Sequence, residues 1–191
     1  MALVSGRLNA SSGEEIFLLG LFIIAGFISI LIHELGHALT ARAFGAHAEI
    51  TLEAFGGYAA YGGVSMSRPK SFLITLAGPA VQIALGVIAW FAIPFAREQE
   101  AAASGITFLK DLVWVSWIWA ILNLLPVLPL DGGRLMQTIL GPRNTRTTLI
   151  LSMVFAIAAA IAGVIFTGSI FLPVFMGYFA WQAYSALKQI R

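Results

Sequence analysis

The sequence predicts an all-α polytopic membrane protein, with about five transmembrane helices and a small membrane-associated β-strand insertion after the first. The 191-residue chain is 59% hydrophobic and 10% charged, with a mean hydropathy of +0.90. Soluble domains, in contrast, carry about 25% charged residues. Long apolar segments recur along the chain, whereas residues 46–68 alternate in polarity as strands do. There is no cysteine, so any bound metal must be held by nitrogen and oxygen ligands.

The first apolar segment predicts a membrane helix from about 15 to 45, preceded by a polar N-terminal tail at 1–14. Residues 16–32 contain no charged side chain, and a span needs about 20 apolar residues. No basic region leads into a cleavable apolar run, so we interpret the segment as a retained span. Small and polar residues recur every three or four positions, a pattern that favours close helix packing: Gly26, Ser29, His33, Gly36, His37 and Thr40.

This helix contains the sequence H-E-L-G-H, an H-E-x-x-H motif at residues 33–37. Positions four apart lie one above the other on a helix, so His33 and His37 can bind one metal ion. Glu34 lies at the edge of the same face, within reach of a water on that metal. The pattern is typical of zinc metalloproteases, in which the Glu is the general base. A soluble core helix with a satisfied histidine is the alternative, but it leaves three polar groups in an apolar helix unexplained.

Residues 46–68 predict short strands, because Ile50 and Leu52 alternate with polar neighbours. The diglycines at 56–57 and 62–63 are interpreted as turns or bends between these strands. A small sheet near the metal would offer an edge that holds an unwound substrate by strand addition. An interfacial loop is the alternative.

Helix two is expected from about 71 to 94 and contains Gly78-Pro79. We interpret Gln82 as an interhelical hydrogen-bond group rather than a catalytic one.

Helix three begins near 107 and breaks at 123–133, where two prolines and a diglycine surround Asp131. Unwound backbone at membrane depth persists only when it is buried in protein or lines a wet cavity. Asp131 either caps a short helix at 133–140 or binds metal, and the two roles are compatible.

The last two spans are expected at about 148–166 and 170–188, after a basic turn. With five spans, the basic residues divide eight to three between the two sides: Arg42, Arg68, Lys70, Arg134, Arg143, Arg146, Lys188 and Arg191 against Arg7, Arg97 and Lys110. The positive-inside rule then predicts the N-terminus outside, and the C-terminus and metal-site side in the cytoplasm. The basic residues are interpreted as topology signals, so we expect no nucleic-acid partner.

A catalytic zinc site takes three protein ligands and leaves one position open. The metzincin spacing would need a third His where the chain has Ala43, so that class is excluded. His47 lies past the expected helix end and is interpreted as a surface residue. Asp131 is preferred over Glu49 and Glu53, which lie in the strand-like segment, because it is the only other acid that we expect at membrane depth.

These two motifs, H-E-L-G-H in one apolar helix and N-L-L-P-V-L-P-L-D-G-G in a later one, resemble those of the site-2 protease family of intramembrane zinc metalloproteases. The resemblance implies that His33, His37 and Asp131 bind one Zn²⁺ per chain and that Glu34 is the general base. It also implies that Asn123 assists substrate or oxyanion binding, with an interhelical hydrogen bond as its alternative role.

The family's three-span protease core would cover about residues 15–140, including the strand insertion, and the two helices in 141–191 would be accessory. Where the family commonly has an Asn three residues after the helix-two proline, this chain has Gln82.

The resemblance implies substrates that are membrane-tethered regulatory proteins, cleaved in or near a transmembrane segment. It also implies a prokaryotic cell membrane as the location. Because the sequence has no room for PDZ or CBS domains, we expect control by a regulatory membrane partner, by substrate trimming or by gating. The rival interpretation is a non-proteolytic membrane protein that binds or transports metal with the same ligands. A transporter needs polar groups that continue across the bilayer, and helices four and five supply almost none.

Overall fold

The computed structural model describes residues 12–53, 56–167 and 170–190, so most of the expected N-terminal tail lies outside the described residues. In chain order its elements are α1 (Gly13–Ala43), β1 (His47–Glu53), β2 (Gly56–Gly62), α2 (Arg68–Glu98), α3 (Ala103–Asn123), α4 (Asp131–Leu140), a 3₁₀ turn (Pro142–Asn144), α5 (Thr145–Thr167) and α6 (Phe171–Gln189). The predicted helical membrane fold with a strand insertion after the first helix is confirmed.

Within the described part of the chain, four helical segments are long and apolar enough to cross a membrane: Gly13–Ala43, Arg68–Glu98, Ala103–Asn123 and Pro142–Phe166. The fifth predicted span forms α6, a helix of 19 residues at the expected place. It contains Gln182 and ends near Lys188, two polar side chains that lower its hydropathy, and it is not among the four apolar segments. The expected count of about five spans is therefore approximate.

Helix α1 begins slightly before the predicted position because a capping box closes its N-terminus. Ser12 Oγ accepts from the Glu15 backbone N–H at 3.2 Å, and the Glu15 carboxylate accepts from the Ser12 N–H at 3.1 Å. The predicted stripe of small and polar residues faces inward at four of its six positions, whereas Gly26 and Thr40 are half-buried. The motif is therefore on the buried face of the helix.

Strands β1 and β2 form a two-stranded antiparallel hairpin, with a register from His47↔Gly62 to Glu53↔Gly56. The predicted alternation is confirmed, and both strands contact α1. The interpretation of the first diglycine as a bend is wrong. Gly56 and Gly57 instead begin β2 and pair with Glu53 and Leu52 of β1, while residues 54–55 lie outside the described part of the chain. The second diglycine ends the hairpin, where Gly63 has φ +90°.

The chain divides into two compact units, each with its own apolar cluster. The first comprises residues 1–65 and 77–120, and the second comprises residues 66–76 and 121–191. Alanines are prominent in both clusters, which allows close packing of helices in lipid. The buried members are Ala25, Ala89, Leu112 and Val113 in the first unit and Val127, Ala156, Met176 and Phe179 in the second.

In the second unit, the Arg68 side chain caps the C-terminus of α4. Its guanidinium donates to the carbonyl oxygens of Thr138, at 2.7 and 2.9 Å, and Ile139, at 2.5 Å. The last carbonyls of a helix have no intrahelical donor, so this side chain satisfies them. These hydrogen bonds connect residues 66–76 to α4, the helix that contains Asp131.

Candidate metal centre

The two histidines of α1 face each other inside the first unit. His33 is 4% exposed and His37 is 7% exposed. Their Nε2 atoms lie 3.0 Å apart, with the ring planes at 82°. Glu34, one residue after His33, is only 5% exposed. The one-turn spacing therefore brings two ring nitrogens to one point, as the sequence predicts.

The ring of His33 is held from the side opposite His37 by a residue of α2. His33 Nδ1 lies 2.9 Å from Gln82 Oε1, and Gln82 Nε2 donates to Ser29 Oγ at 2.8 Å. Ser29 Oγ is in turn 3.0 Å from Ser116 Oγ of α3. The interpretation of Gln82 as an interhelical hydrogen-bond group is confirmed, although the sequence did not indicate that its partner is a motif histidine.

The ring of His37 lies directly over Gly78 of α2. A Cβ atom on Gly78 would lie 2.2 Å from His37 Nε2 and 2.4 Å from Cε1. One residue before His37 on α1, a Cβ on Gly36 would lie 2.7 Å from the Ala77 carbonyl oxygen. Both distances are shorter than ordinary van der Waals contact, so the two helices approach this closely only because both positions are glycine.

Asp131 is the first residue of α4 and is 7% exposed. The N-cap position belongs to Leu130, which makes no side-chain cap hydrogen bond. The alternative in which Asp131 caps a helix at 133–140 is therefore wrong, because the helix begins earlier than expected and already includes the aspartate. A carboxylate in the first turn is still favoured by the helix dipole.

The broken segment before Asp131 is fixed by contacts within the second unit. A Cβ on Gly132 would lie 2.1 Å from the Leu124 carbonyl oxygen, so the first turn of α4 packs directly against this backbone. The Leu128 N–H donates to Ser152 Oγ of α5 at 2.7 Å, and Ser152 is fully buried. The unwound chain thus has a hydrogen-bond partner from a neighbouring helix, as unwound backbone at membrane depth requires.

His33, His37 and Asp131 form a group of three buried residues whose ligand atoms all lie within 4.8 Å of one another. A further acid, Asp111 of α3, is also buried, at 6% exposure, which was not expected from the sequence. The group nevertheless contains Asp131 and not Asp111.

Of the other candidate residues, those whose side chains the structure describes are not members of that group. His47 is exposed at the start of β1, as interpreted, and Glu49 is exposed on the same strand. The side chain of Glu53 lies outside the described part of the structure. Asn123 is the last residue of α3 and is half-buried.

Comparison with known sequences identifies related proteases. A sequence model of peptidase family M50 matches residues 21–97 and 91–162. The zinc metalloprotease Rip3 of Mycobacterium tuberculosis is 31% identical over 176 residues, which cover 84% of this chain and 43% of the relative. A zinc metalloprotease of Methanocaldococcus jannaschii is 30% identical over 131 residues, covering 68% of this chain and 37% of the relative. The chain thus spans less than half the length of these two proteins.

A shorter relative, the zinc metalloprotease Rip2 of Mycobacterium tuberculosis, is 30% identical over 180 residues, with 75% of this chain and 68% of the relative covered. The fold is similar to that of the solved site-2 protease from Methanocaldococcus jannaschii, with a TM-score of 0.66 and 21% sequence identity. That similarity covers 97% of this chain and 84% of the other, so the shared architecture includes nearly every element described above.

Proposed function

The chain belongs to peptidase family M50, and we propose that it is a zinc-dependent endopeptidase that cleaves other membrane proteins within or beside their transmembrane segments. The observation that carries the proposal is the buried group of His33, His37 and Asp131 in a membrane protein. Burying such polar groups at bilayer depth costs roughly 2.5–3.5 kcal/mol for each charged side chain on insertion scales. A metal that all three bind offsets that cost.

The donor set fits a catalytic zinc ion. Two imidazoles and one carboxylate are a known catalytic combination, which leaves a fourth position open. The chain has no cysteine that would close the site as a structural one. We assign His33, His37 and Asp131 as the three ligands of one Zn²⁺ per chain. When bound there, zinc lowers the pKa of a coordinated water to about 7 and polarises a carbonyl oxygen.

Glu34 is assigned as the general base. Its carboxylate takes a proton as water adds to the scissile carbonyl carbon, and it returns that proton to the leaving amine as the C–N bond breaks. Its burial beside His33 keeps bulk water away from this proton transfer. Asn123 is assigned to assist by donating from its side-chain amide to the carbonyl oxygen of the substrate, where loss of one such donor costs about 10²–10³ in rate.

The hairpin is assigned to hold the substrate in an extended form. A transmembrane helix hides its carbonyls in internal hydrogen bonds, so a bond can be attacked only after local unwinding. Strands β1 and β2 form a sheet of two, so each has an outer edge without a third strand among the described residues. Such an edge can pair with an unwound segment by strand addition. The contact of both strands with α1 supports this role, since α1 carries the motif.

The substrates that we propose are membrane-tethered regulatory proteins, with a further membrane protein as regulator. The protein is assigned to a prokaryotic cell membrane, with the N-terminus outside and the site opening to the cytoplasm, because the basic residues are concentrated on that side. Residues 15–140 would form the protease core, and residues 141–191 would be accessory. The accessory part would also stabilise the core, because Ser152 of α5 accepts a hydrogen bond from Leu128, in the segment that leads to Asp131.

A reconstituted cleavage assay tests the proposal. The purified protein is placed in liposomes with single-span substrates, and products are followed with and without a zinc chelator. We expect cleavage that the chelator abolishes, that added zinc restores, and that Glu34→Gln abolishes. Glu98→Gln, an exposed acid at the end of α2, is the matched control and should cleave normally. Stoichiometric zinc binding without cleavage of any substrate would instead favour the non-proteolytic metal-binding or metal-transporting alternative.

A further inference from the structure

A buried line of hydrogen bonds connects α3, α1 and α2 to the ring of His33. Ser116 and Ser29 share a hydrogen bond at 3.0 Å, and Gln82 Nε2 donates to Ser29 Oγ at 2.8 Å. The other end of the same amide, Oε1, lies 2.9 Å from His33 Nδ1. Ser29, Ser116 and Gln82 are all 0% exposed. Polar groups buried this fully are costly unless they are hydrogen-bonded, so the line is held in place.

The orientation of the Gln82 amide is fixed by a backbone group. The Nε2 end also lies 3.4 Å from the carbonyl oxygen of Ser29, which can only accept a hydrogen bond. An amide flipped by 180° would face this carbonyl with its own oxygen and lose both donations to Ser29. The NH₂ end therefore faces Ser29, and the oxygen faces His33.

This orientation determines which nitrogen of His33 carries the proton. An amide oxygen cannot donate, so the 2.9 Å contact requires an N–H on Nδ1. In a neutral imidazole the other nitrogen, Nε2, is then unprotonated and can only accept a hydrogen bond or bind a metal. That is the nitrogen that lies 3.0 Å from His37 Nε2, on the side of the candidate metal group.

We propose that Gln82 is a positioning residue that holds His33 in the Nδ1–H tautomer and thereby presents an unprotonated Nε2 as a ready metal ligand. The inference rests on the proposed zinc site. A group that orients a ligating histidine through its second nitrogen typically raises metal affinity about 10- to 100-fold. Gln82 supplies this orientation from a neighbouring helix, so the affinity of the site depends on the packing of α2 against α1.

The tautomer is measured directly on metal-free protein by ¹⁵N NMR of histidine-labelled samples in detergent. The chain has three histidines, and a His47→Gln background leaves only His33 and His37. We expect His33 to show a protonated Nδ1 and an unprotonated Nε2 in the wild type. In Gln82→Met, which keeps the length of the side chain but removes the amide, we expect this preference to be lost. A wild-type His33 protonated at Nε2 overturns the inference, whether or not Gln82→Met folds.

Zinc affinity, measured by competition with a chelator, provides the second readout. We expect Gln82→Met to bind zinc about 10- to 100-fold more weakly. The matched control is Thr148→Val, which removes a fully buried hydroxyl that donates to the Asn144 carbonyl and is not part of the line; it should bind zinc like the wild type. A purely structural role would lower the melting temperature of both variants and leave tautomer and zinc affinity unchanged, and that result overturns the inference.

Failure of the proposed function and failure of the inference about Gln82 give different experimental results. A wild type that binds no zinc removes the proposed function, while the NMR result on metal-free protein still decides the tautomer. A wild type that binds zinc and cleaves, together with a Gln82→Met variant of equal affinity, removes only the role of Gln82.

Discussion

Substitution of Gly78 by alanine tests whether the close approach of α2 to α1 places the second histidine. The added Cβ would lie 2.2 Å from His37 Nε2, whereas ordinary contacts begin at 3.4 Å. The ring must therefore move by about 1.2 Å, the difference between those two distances, or the helices must separate. A zinc–nitrogen bond is only about 2.0–2.1 Å long, so a shift of this size removes His37 from the ligand set. A misplacement of about 1 Å can cost 10²-fold in activity.

The helix propensity of alanine by itself favours the substitution, so a loss of zinc affinity would report the steric contact with His37. Alanine in a helix is favoured over glycine by roughly 0.5–1 kcal/mol, whereas overpacking a tight contact costs about 1–3 kcal/mol. We expect zinc affinity and cleavage to fall at least about 100-fold. Gly26→Ala is the matched control, because a Cβ there has nothing within 4 Å; it should keep both. Chelator competition and the liposome assay measure the two quantities. A Gly78→Ala variant with wild-type zinc affinity would refute the assigned packing of His37.

Three further substitutions address other parts of the site. Glu34→Gln should keep zinc affinity within about twofold and lower the cleavage rate by about 10²–10⁴, the usual contribution of a general base; unchanged processing would contradict its role. Ser152→Ala leaves the Leu128 N–H without its acceptor and should cost about 1 kcal/mol in thermal unfolding, a contribution that an unaltered melting curve would exclude. Gly132→Ala places a Cβ 2.1 Å from a backbone oxygen of the preceding segment, so zinc binding measured by chelator competition should weaken sharply; retention of full affinity would show that the turn has room to adjust.

The motif helix was predictable because two local signals coincide in it. Its apolar run gives the helix, and the four-residue spacing puts His33 and His37 on the same face. The buried side of α1 follows the predicted small-residue stripe at Ser29 and Gly36. The break after α3 was also recognisable, since prolines and a diglycine cannot continue a helix.

Local patterns in the sequence are misleading where the same residues suit two different structures. Gly56 and Gly57 indicate a turn by composition, but they lie in β2 and pair with Glu53 and Leu52 of β1, since a strand can also contain glycine. An Asp after a loop favours the N-cap, yet α4 begins at Asp131, two residues before the expected start at 133, and so places this aspartate in its first turn. Asp111 was overlooked because it follows Lys110 at the start of a span, where a charge is usually solvated; it is buried.

Contacts between distant residues could not be predicted from one sequence. Gly78 leaves room for a histidine 41 positions earlier, and Gln82 accepts from another, 49 positions earlier. In the sequence the first is an ordinary glycine before a proline and the second a polar residue in a span. Only the pairing of the helices shows that the glycine leaves space for one histidine ring and that the glutamine lies against the other.

Zinc X-ray absorption spectroscopy of the purified wild type beside Asp131→Ala tests the central claim most directly. With one zinc per chain, the wild-type spectrum should show two imidazole nitrogens at about 2.0–2.1 Å together with oxygen ligands. The variant should keep the imidazole signal, lose the carboxylate oxygen and bind zinc more weakly. A wild type without stoichiometric zinc, or an Asp131→Ala spectrum identical to it, would contradict the metal site on which the proposed protease depends.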